Sequence, residues 1–199
     1  MLRVRDDDAS AFEELMLRYQ DRVVGLLTHI VGRSDLAEDL AQDVFLRVYR
    51  IRKRYVPGAK FSTWLFTIVH NVASNARRTL SRRKEVNLAG GGPVPQTQTL
   101  DSAAVAASGL MPTRQLDKTE LREVVQVALG QLNERQRTAV VLHKFEQLSY
   151  IEISEIMGLS TSAIKSLLAR ARSNLRDVLQ PYLENGRRVE TADAATNAD

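Results

Sequence analysis

Hydrophobic residues recur every three to four positions in the first half of the chain, which is the spacing of an amphipathic helix. Capping residues and glycines divide this pattern into segments. It predicts three helices that share one core: from Asp8 or Ser10 to Gly32, from about Ser34 to Tyr55, and from about Ser62 into residues 82–84.

The pattern is lost between residues 86 and 118, where glycine, proline and small polar residues predominate, as is typical of a flexible linker. It resumes to predict four more helices: Thr119 to Leu129, Asn133 to about Phe145, Ser149 to Met157, and Thr161 to about Leu179, before Pro181. We therefore predict an all-α protein with two small helical domains. The predicted parts are a first domain (1–85), a flexible linker (86–118), a second domain (119–183) and a disordered tail (184–199).

The last two predicted helices have the pattern of a helix-turn-helix. Ser149 and Glu152 have capping-box spacing, and Gly158 ends the first helix of the pair. Five apolar residues can pack the pair together: Ile151, Ile156, Leu159, Ile164 and Leu168. The second helix would present small polar and basic residues, which suit base edges in the major groove and flanking phosphates. These residues are Thr161, Ser162, Lys165, Ser166, Ala169, Arg170 and Arg172.

Charge is segregated in the first domain. Between Val44 and Lys84 there are eleven basic residues and no Asp or Glu, although the chain as a whole has a net charge of only +4. Five aromatic residues lie among them: Tyr49, Tyr55, Phe61, Trp64 and Phe66. Stacking of an unpaired base on an aromatic ring is worth roughly 1–3 kcal/mol. The segment therefore predicts contact with single-stranded or opened nucleic acid.

Other residue types exclude several classes of protein. The chain has no cysteine, which excludes disulfides and thiolate metal sites. His29, His70 and His143 are far apart in sequence, so we predict no metal and no cofactor. No apolar run approaches the roughly 20 residues that cross a bilayer, and residues 1–8 have no signal-peptide core. These features predict a cytoplasmic protein with no membrane insertion.

Together these motifs resemble the extracytoplasmic-function (ECF) sigma factors of the sigma-E type, the small promoter-specificity subunits of bacterial RNA polymerase. Residues 8–12 resemble the family's opening Gly-Asp-x-x-Ala-Phe, with Asp7 where glycine is usual. Residues 39–45 resemble its Asp-x-x-Gln-Glu/Asp-x-Phe signature. Residues 61–65, followed by Asn71 and Arg77, resemble the segment that opens the strands and reads the minus-ten element, and residues 148–172 resemble the minus-thirty-five reader.

The resemblance implies three binding surfaces and no catalytic site, so that the protein would not be an enzyme. Docking on the clamp helices of the largest polymerase subunit would use Asp39, Gln42, Asp43 and Leu46, which helical spacing independently places on one stripe. Minus-ten DNA would contact Tyr55, Lys60, Phe61, Trp64, Asn71, Asn75, Arg77 and Arg78. Minus-thirty-five DNA would contact the seven helix-turn-helix residues named above. The resemblance also implies contact with the flap of the second-largest subunit and restraint by an anti-sigma factor.

Two departures from the family pattern affect the helix-turn-helix. Ser162 and Leu167 stand where glycine and arginine are common. Binding to duplex DNA is still expected, but the preferred sequence is not defined by the resemblance.

Energetics favour a protein that acts with a larger enzyme. Separating about ten base pairs forfeits about 14 kcal/mol of stacking. Capturing one or two bases returns at most about 6 kcal/mol. The chain alone should therefore not melt a promoter.

Two alternatives belong to other classes. A stand-alone helix-turn-helix regulator would bind a palindromic duplex as a dimer, but it would leave the acid-free segment without a role. A helical Mg²⁺ enzyme for nucleotide hydrolysis could use Glu13, Glu14, Asp35, Glu38, Asp39 and Asp43. Three of these acids fit a helix N-terminus instead, and no phosphate-binding glycine loop precedes a helix.

Overall fold

Helices make up nearly all of the regular structure in the computed structural model, which describes residues 1–58, 60–89 and 112–185. The first domain contains α1 (Leu2–Arg5), α2 (Ala9–Val31), α3 (Ser34–Ile51), a 3-10 turn (Arg52–Arg54) and α4 (Phe61–Ala89). The second contains α5 (Pro112–Gly130), α6 (Glu134–Lys144), α7 (Tyr150–Met157) and α8 (Thr161–Asn185). No strand occurs within these residues, which confirms the all-α prediction.

Local capping interactions set the ends of α2 in the first domain. The Asp8 side chain accepts a hydrogen bond from the Ala11 backbone N–H at 3.0 Å, and this bond caps α2. Gly32 ends the helix with a φ of 80°, which glycine adopts without steric cost. α2 packs on α3 and α4 around a core that includes Leu27, Val44 and Phe66, each fully buried.

The N-terminal helix α1 was not predicted from the sequence. It is a single turn, too short for helical periodicity to show, and Val4 anchors it in the core with 1% exposure. The connection to α2 contains Asp7, whose φ of 67° lies in the left-handed region that favours glycine. At this position the family that the sequence resembles usually has glycine.

Two capping boxes organise the second domain. Asn133 and Gln136 exchange side-chain and backbone hydrogen bonds at the start of α6, and Ser149 and Glu152 do the same at the start of α7. Gly158, at a φ of 62°, forms the turn between α7 and α8. These features confirm the predicted helix-turn-helix.

Some boundaries and one core assignment differ from prediction. α4 and α5 extend into the predicted linker at both ends, because Pro112 fits the first helical turn and residues 84–89 contain good helix formers. α8 passes Pro181, whose fixed φ is itself helical, and includes the first two residues of the predicted tail. Residues 90–111 and 186–199 lie outside the described residues. Ile151 was wrongly placed in the helix-turn-helix core: it is 64% exposed, because helical spacing puts it on the opposite side of α7 from the buried Ile153.

The two domains lie against each other. α2 packs on α6, and α4 packs on α7. No helix in the described ranges is long and apolar enough to cross a membrane.

Candidate nucleic-acid interface

An aromatic cluster surrounds the start of α4. Ring centroids are 5.2 Å apart between Tyr55 and Trp64, 5.8 Å between Phe61 and Trp64, and 5.2 Å between Tyr19 and Phe61. Tyr55 is buried, at 7% exposure, whereas Phe61 and Trp64 are half-buried. Phe61 and Trp64 thus remain accessible to a base, and the buried ring of Tyr55 packs against both of them.

A cleft of about 440 Å³ opens beside this cluster. Phe61 and Tyr19 form part of its wall, and α1 and the start of α2 form the rest. Two arginines at this cleft are already paired: Arg3 with Asp8 at 2.8 Å and Arg18 with Glu14 at 2.9 Å.

The exposed polar face of α4 borders a second groove. Asn71, Asn75 and Arg78 are exposed on this helix. Asn71 lines a groove of about 420 Å³ between α3 and α4, and Arg47 and Arg50 of α3 line it too. The groove therefore combines an amide that can read a base edge with the guanidinium of Arg50, which can hold a phosphate, and with that of Arg47, which is paired with Asp43 of the same groove.

Sequence reasoning did not assign Arg47 and Arg50 to the site. Both belong to the acid-free segment, which is the sequence feature that could have pointed to them. Their position beside Asn71, however, depends on how α3 packs on α4.

Two other predicted minus-ten residues are engaged by protein groups. The Arg77 guanidinium donates to the carbonyl oxygen of Ile30, at the end of α2, at 3.1 Å. Lys60 Nζ forms an ion pair of 2.9 Å with Glu152 of the second domain, although the Lys60 side chain stays 76% exposed. Their placement differs from that of Asn71, Asn75 and Arg78, which face solvent.

Glu152 has an unusual electrostatic environment. Its carboxylate receives hydrogen bonds from the Ser149 backbone N–H at 2.9 Å and from the Ser149 hydroxyl at 2.8 Å, and it pairs with Lys60. The backbone bond from Ser149 contributes most and the Lys60 ammonium next, and together they lower the pKa of Glu152 to about 2. The carboxylate is therefore fully ionised at neutral pH.

The predicted polymerase-docking stripe is open to solvent on α3. Asp39 and Gln42 are exposed, and the Leu46 side chain between them and the groove is 54% exposed. Asp43 is half-exposed, accepts a hydrogen bond from Arg47 Nε at 3.0 Å, and forms an ion pair with the same guanidinium, whose Nη2 lies 2.9 Å away. The stripe thus adjoins the groove that contains Asn71.

The residues predicted to contact duplex DNA all lie on the exposed side of the recognition helix α8. Ser160 caps it by accepting from the Ala163 N–H at 3.2 Å, while Ile164 and Leu168 are buried beneath. All seven predicted residues are exposed: Thr161, Ser162, Lys165, Ser166, Ala169, Arg170 and Arg172. Arg172 Nε also donates to the Leu168 carbonyl at 3.2 Å, so part of its donor set serves the helix.

Asp7 forms ion pairs with two basic residues that precede the minus-ten segment. From the sequence, Asp7 was noted only because it stands where the family usually has glycine. Asp7 pairs with Arg52 at 2.7 Å and with Lys53. The hydrogen bond from Lys53, and then that from Arg52, lowers the pKa of Asp7. An acidic residue where glycine is usual was the feature that could have drawn attention to Asp7. Its ion-pair partners could not be predicted, because they lie 45 and 46 residues away in sequence.

This geometry defines a class of protein: a two-domain helical DNA-binding protein with a helix-turn-helix and a separate basic, aromatic surface beside an acidic stripe. Comparison with known proteins identifies the family. Residues 15–83 match the family model of sigma-70 region 2, and residues 122–175 match that of sigma-70 region 4. The chain belongs to the ECF family of RNA polymerase sigma factors, and it is an alternative sigma factor for promoter-specific transcription initiation.

Similar proteins cover nearly the whole chain. It is 32% identical over 183 residues to an ECF RNA polymerase sigma-E factor of Haemophilus influenzae, covering 91% of this chain and 94% of the relative. It is 37% identical over 179 residues to the RNA polymerase sigma factor CarQ of Myxococcus xanthus, covering 90% and 95%. A similar solved structure is that of the sigma factor RpoE from Bartonella quintana in complex with the anti-sigma factor NepR. It has a TM-score of 0.64 and 25% identity, covering 86% of this chain and 98% of that one.

Proposed function

We propose that the first domain, residues 1–85, docks on core polymerase and reads the minus-ten element, and that the second, residues 119–183, reads the minus-thirty-five element. The observation that carries this division is the groove between α3 and α4. It brings Asn71 together with Arg47 and Arg50, and the half-buried ring of Trp64 lies nearer the start of the same helix. In the groove the Asn71 amide can read a base edge and Arg50 can hold a backbone phosphate, while Trp64 of the aromatic cluster can stack on a base face.

The minus-ten surface has a direct and a supporting set of residues. Lys60, Phe61, Trp64, Asn71, Asn75 and Arg78 contact the opened strand. Tyr55 is buried under the aromatic cluster and Arg77 is bonded to Ile30, so both position this surface.

Polymerase docking uses the stripe of Asp39, Gln42, Asp43 and Leu46 on the clamp helices of the largest subunit. An exposed leucine flanked by carboxylates and an amide suits a basic protein surface with an apolar centre. The second domain contacts the flap of the second-largest subunit.

Promoter duplex is read by the exposed N-terminal face of α8. Lys165 and Arg170 hold phosphates or guanine edges, and the small residues Ser162, Ser166 and Ala169 permit close approach. Ser162 and Leu167 distinguish this face from the common family pattern, so its preferred sequence is its own.

The protein works in the cytoplasm, has no catalytic activity of its own, and is restrained by an anti-sigma factor. The similar structures support the last point, because the RpoE structure contains the anti-sigma factor NepR. Contacts with core polymerase supply the part of the free energy of strand opening that base capture by this chain does not provide.

In vitro transcription tests the assignment. Core RNA polymerase is supplied with sheared bacterial genomic DNA, with and without the protein, and new transcript starts are mapped. We expect new starts that share two upstream elements at a fixed spacing. Duplex binding without any new start would favour the stand-alone regulator instead.

The docking stripe has its own test, with a matched control on the same helix. Asp39→Lys should reduce binding to core polymerase at least tenfold. Glu38→Lys changes the charge equally at an exposed neighbour outside the stripe, and it should leave binding nearly unchanged. Equal effects of the two substitutions would remove the stripe from the proposal.

A further inference from the structure

Two serine hydroxyls are joined at the start of the recognition helix α8. Ser160 Oγ accepts a hydrogen bond from the Ala163 backbone N–H at 3.2 Å and lies 3.0 Å from Ser162 Oγ, within hydrogen-bond distance. Both serines are exposed. Ser162 stands where glycine is common in the family pattern, so this chain has a hydroxyl at a position that usually carries no side chain.

Ser162 lies on the face of α8 that is available to duplex DNA. Ile164, two residues further on, is fully buried on the opposite side of the helix. Helical spacing places Ser162 in one row with three other exposed residues: Lys165, Ser166 and Ala169. Residues in the first turns of a recognition helix are those that contact base edges in the major groove. Ser162 is therefore at the end of the helix where base contacts are made.

The second departure from the family pattern acts in the same direction. Leu167 stands where arginine is common, and its half-buried side chain packs against the apolar core. An arginine could contact a phosphate, whereas a leucine cannot. Phosphate contacts position a protein on DNA, and base contacts specify the sequence. With one cation fewer and one hydroxyl more, α8 depends more on base contacts than the common pattern does.

The hydrogen bonds of the two serines determine what Ser162 offers to DNA. A hydroxyl has one hydrogen to donate and two lone pairs. The oxygen positions allow either serine to be the donor in their shared bond. The partial positive charge at a helix N-terminus favours hydroxyl hydrogens that point away from the helix, and hydrogen bonds that run in one direction strengthen each other. Ser160 then donates to Ser162, and the Ser162 hydrogen points outward.

We propose that Ser162 is a specificity-determining residue that donates its hydroxyl hydrogen to an acceptor on a base edge of the minus-thirty-five duplex, and that Ser160 is the positioning residue that orients this hydrogen. The inference rests on the proposed function, which assigns duplex reading to this face of α8. In the major groove guanine, adenine and thymine each present an acceptor, whereas cytosine presents only a donor. The contacted position therefore tolerates three bases and rejects cytosine.

Transcription from randomised templates tests the contact. The full chain and core polymerase are given templates randomised over the mapped upstream duplex element, and transcripts are counted for each base at each position. We expect one position at which cytosine lowers the yield about tenfold, and at which Ser162→Ala removes this loss. Ser173→Ala removes an exposed hydroxyl further along α8 and is the matched control, which should leave every position unchanged.

Two results would overturn the contact. One is an identical base profile for the parent chain and Ser162→Ala. The other is a preference of the parent for cytosine at the position that Ser162→Ala alters, because the serine would then accept a hydrogen bond and not donate one.

Substitutions of Ser160 separate positioning from helix capping. Ser160→Thr keeps both the cap and the hydroxyl hydrogen, and it should retain the discrimination against cytosine. Ser160→Asp also caps the helix, but its carboxylate has no hydrogen to donate and accepts that of Ser162. Its charge lowers the yield on all templates alike, so the ratio between bases is the readout. We expect this ratio to fall towards one. Retained discrimination in Ser160→Asp, or its loss in Ser160→Thr, would overturn the positioning role.

The outcomes separate this inference from the proposed function. If transcription starts at the mapped promoters but Ser162→Ala has the base profile of the parent, the inference fails and the proposed function stands. If the parent chain starts no transcription, the proposed function fails. Binding of the same randomised duplexes to the full chain, followed by sequencing of the bound fraction, then decides whether Ser162 rejects cytosine.

Discussion

The carboxylate of Asp7 holds the guanidinium of Arg52, which follows it by 45 residues. Arg52 Nε donates to Asp7 Oδ1 at 2.8 Å. The same guanidinium donates to the Tyr49 carbonyl at 2.7 Å and lies 3.9 Å from the centroid of the Tyr49 ring. The turn before α2 is thereby tied to the 3-10 turn that precedes the minus-ten segment.

The backbone at Asp7 gives a first prediction. Asp7→Ala and Asp7→Gly both remove the carboxylate, but only alanine keeps a Cβ at a φ of 67°. We expect Asp7→Ala to be less stable than Asp7→Gly by about 1 kcal/mol in urea unfolding. Equal unfolding midpoints would show that the turn relaxes at no cost.

The salt dependence of DNA binding gives a second. Asp7→Asn releases Arg52 and Lys53 from their pairs, so that both can contact phosphates. The slope of log affinity against log salt for random-sequence DNA should become steeper by about one to two. Asp6→Asn removes an equal charge from the neighbouring residue, whose ion-pair partner among the described residues is Arg5, and it should change the slope less.

Arg137 gives a third prediction. Burial lowers its pKa, and the nearby Arg77 lowers it further, yet its planar group serves four carbonyl oxygens. Lysine cannot reproduce this geometry, so Arg137→Lys should cost about 2 kcal/mol of unfolding free energy. Arg135→Lys, exposed on the same helix, should cost less than about 0.5 kcal/mol. Similar losses in both variants would contradict a specific role for the buried group.

Glu152 gives a pH-dependent prediction. Because its pKa is about 2 in the folded chain and 4.5 ordinarily, its contribution to stability is complete above pH 4.5 and is lost as the pH falls towards 2. Glu152→Gln keeps the capping geometry without the charge. The stability difference between parent and variant should therefore shrink over this range, as measured by urea unfolding at each pH.

Glu155→Gln is the control for that measurement, since Glu155 is exposed on the same helix. Its difference from the parent should stay small throughout. A pH-independent difference for Glu152→Gln would remove the electrostatic explanation.

The recognition helix gives a fifth prediction. Arg170→Ala should weaken binding to a duplex that carries the mapped upstream element about tenfold and reduce the salt slope by about one. Arg176→Ala removes the same charge six residues further along the exposed side of α8 and should have little effect. Equal weakening would indicate general attraction of the helix to DNA.

Local features of the fold were predictable from sequence. Asp8, Gly32 and Gly158 fix helix ends through hydrogen bonds and backbone angles within a few residues, so the ends of α2 and α7 agree with prediction. The same holds for the exposed face of α8, which follows from helical spacing alone.

Features that depend on distant residues were not predictable. The burial of Tyr55, the bond from Arg77 to Ile30 and the pair of Lys60 with Glu152 each involve elements that meet only after packing. Periodicity also cannot show that α6 is covered from both sides, because its covering helix α2 precedes it by about 100 residues.

The contact between the rings of Phe145 and His29 has a consequence for synthesis on the ribosome. The first domain is complete at Ala89, and the ribosome must add 56 further residues before Phe145 is made. At about 5–20 residues per second this takes roughly 3–11 s. A nascent first domain therefore passes through an interval in which its surface on α2 has no cover, and Lys60 no partner in cis.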